Sequence, residues 1–157
     1  MLKTFKNLND LPQFARVWVF PSSRAFSDPE VEQIQAQLNI FLFQWAAHGS
    51  DLSASGHILF NRFIVIMLDE SKVGASGCSI DTLTHFTQKI EKELGVSFTD
   101  RMTITYQDGD NFKDTHLNDV SSLSEDTLFF NHLVNTKADF ENSWLTPVRN
   151  SWLERFI

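Results

Sequence analysis

The chain has one cysteine, one tyrosine and no long apolar run. A single Cys excludes any disulfide within the chain and fits a reducing compartment. The longest clean apolar stretch, Phe63 to Leu68, is far shorter than the ~20 residues a bilayer requires. Met1 to Leu11 mixes polar and apolar groups and has no signal-peptide apolar core. A cytoplasmic protein without membrane insertion is therefore expected. Lys and Arg number 13 against 20 Asp and Glu, a net charge of −7. That balance argues against nucleic acid or anionic lipid as the main partner. Metal-ligand spacings are missing too: no H-x-x-x-H, C-x-x-C or H-E-x-x-H occurs. Asp108-Gly109-Asp110-Asn111 breaks the calcium-loop pattern and reads as a turn. Neither a metal nor a cofactor is expected.

What is present is apolar and aromatic. Fifteen Phe and four Trp stand beside the one Tyr. Phe has no polar tip to place in water, so burial is the expected use of most rings. With 157 residues the chain is read as one α/β domain. Residues 136–157 hold Trp144, Trp152, Phe156 and Ile157. They are expected to form an aromatic tail folded onto the body, the alternative being a partner-binding tail.

Ala15 to Phe20 is predicted as a strand, because Val17 to Phe20 are β-branched or aromatic and Pro21 ends the run. A helix over 29–48 follows, with Asp28 as N-cap, Pro29 in the first turn and Gly49 as the stop. Its apolar face runs through Val31, Ile34, Leu38, Phe41, Leu42 and Trp45. Even-spaced apolar residues from Leu52 to Phe60 and the run Phe63 to Leu68 predict a hairpin turning at Asn61-Arg62, or one long bent strand. A second helix spans about 80–94, closed by Gly95. Strands are expected at 102–106, 112–117 and 128–134, a helical turn at 119–124 and a short helix at 137–146. This order predicts an α+β protein, a two-layer α/β sandwich with a ferredoxin-like βαββαβ core and extra C-terminal elements. A three-layer α/β sheet is the alternative.

Three segments carry a resemblance: Phe41-x-x-x-Trp45-x-x-His48-Gly49, Asn61-Arg62-Phe63-Ile64, and Gly74-Ala75-Ser76-Gly77-Cys78-Ser79-Ile80-Asp81. The chain resembles, over most of its length, a bacterial family of short uncharacterised proteins often automatically named "ABC transporter ATPase". That name would imply nucleotide binding. The residues show no Walker A, because no Lys follows Gly77.

The loop Gly74 to Ser79 feeds directly into the second helix. Gly74, Ser76, Gly77 and Ser79 would let a phosphate or carboxylate approach the helix N-terminus. The same placement would favour a thiolate at Cys78, making it a candidate nucleophile. A base would come from His48, His57, His85 or His132. Asp81 and His85 stand at i,i+4 spacing, as an orienting acid and its imidazole would. The plainer account is a capped turn with a packing Cys78 and a surface Asp–His pair. Arg62 and Arg101, at the ends of neighbouring predicted strands, could together grip an anion or each form a surface salt bridge. Three functions are therefore carried forward. The first is a non-catalytic binding or interaction module, with a homodimer through aromatic surface and a small anionic ligand as its partners. The second is an enzyme using Cys78. The third is a phosphate- or nucleotide-binding protein.

Overall fold

A computed structural model describes residues 5–48 (backbone alone at 46–48), 53–71 and 75–157. Arg16–Pro21 forms β1, Asp28–His48 α1, Ser53–Leu59 β2 and Phe63–Asp69 β3. These build an antiparallel sheet of order β1-β3-β2. Both β1 and β2 run antiparallel to β3 and hence parallel to each other, with α1 as their crossover. Gly77–Leu94 forms α2. Then Thr103–Asp108 (β4), Asn111–His116 (β5), Leu128–Phe130 (β6) and Leu145–Pro147 (β7) make a second antiparallel sheet of order β5-β4-β6-β7. Lys137–Ser143 is α3, and 3-10 turns occupy Leu117–Ser122 and Trp152–Phe156.

Mixed α+β structure agrees with the sequence reading. The strand order does not follow the ferredoxin-like pattern. That pattern would lay the strand after α2 against the outer edge of β1. Here β4 pairs with β5 and β6 instead. The two-layer expectation also needs correcting, because both faces of the first sheet are covered. Ile64, Ile66 and Leu68 of β3 pack under α1 and α2. Phe63, Val65 and Met67 face Phe130, Phe140 and Trp144 on the other side. Two-sided burial explains why β3 is apolar at each position from Phe63 to Leu68, where a one-sided strand would alternate.

Local chemistry sets the element ends. The cap of α1 is Ser27 rather than Asp28: Ser27 Oγ accepts from Glu30 N–H (3.3 Å) and Glu30 Oε1 accepts from Ser27 N–H (2.9 Å). This is a capping box, in which two free donors are satisfied reciprocally. The hairpin turns at Phe60-Asn61, both left-handed with φ 54° and 55°, rather than at Asn61-Arg62. Helix α2 starts three residues before the expected Ile80, because Ser76 Oγ accepts from Ser79 N–H (3.1 Å). Gly95, at φ 65°, closes it as expected. The C-terminal aromatics divide: Trp144 is fully buried, whereas Phe156 and Ile157 remain exposed.

Candidate functional site

The cap and first turn of α2 hold four of the residues singled out from sequence, Ser76, Gly77, Cys78 and Ser79. Ser76, Gly77 and Cys78 are exposed there. Ser76 and Ser79 bond to each other through their hydroxyls (3.0 Å) and form the cap. The Ser79 carbonyl accepts from Trp45 Nε1 (3.1 Å), which pins the start of α2 to α1. Cys78 Sγ has no hydrogen bond to a described imidazole. Asp81 and His85 are both exposed, and no ion pair or hydrogen bond joins them. Gly74 and the His48 side chain lie outside the described residues.

The two arginines expected to act together have different surroundings. Arg62 forms a bidentate pair with Asp114 (2.9 and 2.5 Å), and Thr105 Oγ1 donates to the same carboxylate (2.6 Å). Its charge is already matched. Arg101 instead lines a cleft of about 690 Å³ that Arg62 does not reach.

This cleft lies where a ferredoxin-like closure would place its fourth strand. Its floor is the edge of β1 at Val19, Phe20 and Pro21. One wall is the C-terminal half of α2, and the other is β4, the end of β6 and the last 3-10 turn. Both faces of β1 contribute: Val19 belongs to the core beneath the second sheet and Phe20 to the core beneath the helices. Phe98, Phe130 and Trp152 make the walls aromatic. The size suits a small organic ligand.

The polar groups of the cleft differ in what they have free. Asp100 Oδ1 accepts from Met102 N–H (2.9 Å) and Oδ2 from Thr103 Oγ1 (2.7 Å). The Thr103 hydroxyl, helped by that N–H, holds the Asp100 carboxyl below its ordinary pKa. Glu91 Oε2 accepts from Phe98 N–H (2.9 Å). The donors are freer. Arg101 has no acceptor among the described residues, and Arg155 only rests over the Phe156 ring at 4.9 Å. His132 also lines the cleft, and burial pushes its pKa down to about 4, so it is neutral at pH 7. Its Nδ1 accepts from Trp144 Nε1 (3.3 Å), which leaves the proton on Nε2. No described residue accepts that proton.

Among the described residues, no three His, Cys, Asp or Glu side chains gather as metal ligands would. No helix among them is long and apolar enough to cross a membrane. His132 and Arg155 carry no local motif, and only the fold brings them together with Arg101. No family model, curated protein or solved structure matches the chain.

Proposed function

We propose that the chain is a non-catalytic binding module whose cleft holds a small anionic ligand with an apolar body. One observation carries this reading: Arg101, Arg155 and His132 Nε2 bring N–H donors with no acceptor among the described residues to an aromatic-walled cleft, while both Asp100 oxygens and Glu91 Oε2 already accept from backbone or hydroxyl donors. Free donors call for a ligand rich in acceptors, and guanidinium suits a carboxylate, sulfonate or phosphate through charge-assisted bonds. The aromatic walls supply the apolar contact. Titration with 8-anilinonaphthalene-1-sulfonate, followed by its emission, tests the reading against its neutral analogue N-phenyl-1-naphthylamine. Arg101→Ala and Arg155→Ala should each weaken sulfonate binding about tenfold and leave the neutral probe unchanged. Equal loss for both probes, or none for either, would overturn it.

A second reading, association of two copies, rests on the outer face of α1. Phe43 is 78% exposed and Ile40 60%. Sedimentation of the native chain beside Phe43→Glu tests it, a monomer at high concentration in both being the result that removes it.

A further inference from the structure

The β1 edge in the cleft offers backbone groups as well as side chains. Ser22 N–H bonds to Arg62 C=O, so the even positions of β1 direct their N–H groups toward β3. The odd positions face outward. Val17 N–H is taken by Asn135 C=O (3.0 Å), and Ser23 N–H by Ser97 C=O (2.9 Å). Between them Pro21 has no N–H to give. Val19 remains, with an N–H that no described residue accepts and a C=O turned the same way. This is an unpaired strand edge that ordinarily recruits another extended chain.

The window is short. The Asn135 contact closes it at one end and the Ser97 contact at the other. Only residues 18–22 lie between the closures, about 16 Å at about 3.3 Å per residue, so an added strand is at most about five residues long. A strand passing through would meet both closures, so a chain end fits better than an internal segment. Arg101 and Arg155 line the same cleft and hold no acceptor of their own among the described residues. They are suited to the carboxylate that a chain end carries.

We propose that the cleft receives the C-terminal end of an extended peptide. One peptide residue pairs with the N–H and C=O of Val19, its terminal carboxylate meets Arg101 and Arg155, and its side chains lie against Phe98, Phe130 and Trp152. The proposal rests on the anion-site reading of the cleft and adds the ligand class to it.

The test uses the native chain and the tripeptide acetyl-Val-Ala-Phe with a free carboxylate. Amide hydrogen exchange at Val19 should slow at least tenfold at saturating peptide, because the N–H becomes bonded. The C-terminal carboxamide should bind about tenfold more weakly or worse, and the fully N-methylated peptide likewise. Unchanged exchange at Val19, or equal binding of acid and carboxamide, would overturn the proposal. The naphthalene sulfonate titration separates the two failures. If the sulfonate still depends on Arg101 and Arg155 while the peptide fails, the peptide is wrong and the anion site stands. If the sulfonate shows no such dependence, both fall.

Discussion

Trp144 Nε1–H donates to Nδ1 of His132 across 3.3 Å, in the aromatic core behind the cleft. Trp144 is fully buried, and Phe63 packs 5.5 Å from the imidazole. The bond requires an unprotonated Nδ1, and burial favours the same neutral form, taking the pKa from 6.5 to about 4.

The sign of the pH dependence follows. Between pH 6.5 and 4 the unfolded chain binds a proton at His132 and the folded chain does not. Stability therefore falls as pH falls through that window, by up to about 3 kcal/mol. His57, also lowered by burial, acts in the same direction. Urea unfolding at pH 7 and pH 4.5 should show the loss, and His132→Gln, which keeps an acceptor for Trp144, should remove most of it. A variant with the native pH slope would remove His132 as its source.

Arg62 and Asp114 should behave as a coupled pair. The Arg62 side chain is only 13% exposed and Asp114 32%. Removing one partner strands the other's charge in a half-buried site, and the buried Arg62 Nε already lacks an acceptor. Asp114→Ala should cost about 2 kcal/mol in thermal or urea unfolding. The double-mutant cycle with Arg62→Ala should give a coupling energy of about 1 kcal/mol or more. Additive single effects would mean the pair contributes nothing beyond surface charge.

Gly56 is small because α1 crosses β2 there at close range. A Cβ at this position would stand 2.7–2.9 Å from atoms of Leu38 and Leu42. Leu38 is fully buried and has little room to move aside. Gly56→Ala should therefore destabilise by about 1–3 kcal/mol. A Tm equal to that of the native chain would show that α1 can shift outward freely.

These sites also show what the sequence could and could not reveal. Pro21, the apolar face of α1 and Gly95 mark ends and faces by local chemistry, and the structure follows them. The unbroken apolar run of β3 marks a strand, but it does not identify the covering layers. The second sheet over Phe63, Val65 and Met67 is a long-range choice. The Ser27–Glu30 box was legible as S-x-x-E, but Asp28 drew the cap assignment one residue too far. The sequence singles out Arg101 and His132, but nothing local places them in one cleft. It exists because β4 pairs with β5 and β6 rather than with β1. Cys78, by contrast, stands out through sequence context alone, and in the fold it is exposed.

Lys137, the first residue of α3, anchors the N-terminal arm. It is 4% exposed, and its Nζ donates to the carbonyls of Asn9 (2.8 Å) and Leu11 (2.7 Å). A buried ammonium holding two carbonyls ties the N-terminal arm to α3, beside the backbone bonds Lys137 N–H to Ala15 C=O and Ala138 N–H to Gln13 C=O. Lys137→Met keeps the apolar stem and deletes the donors, leaving two carbonyls unsatisfied. Stability should fall by about 1–3 kcal/mol. Hydrogen exchange should rise over residues 9–15 and stay native in α2, because the arm alone loses its anchor. Faster exchange throughout the chain would instead make Lys137 part of the global core, and unchanged exchange in the arm would show that the backbone bonds hold it unaided.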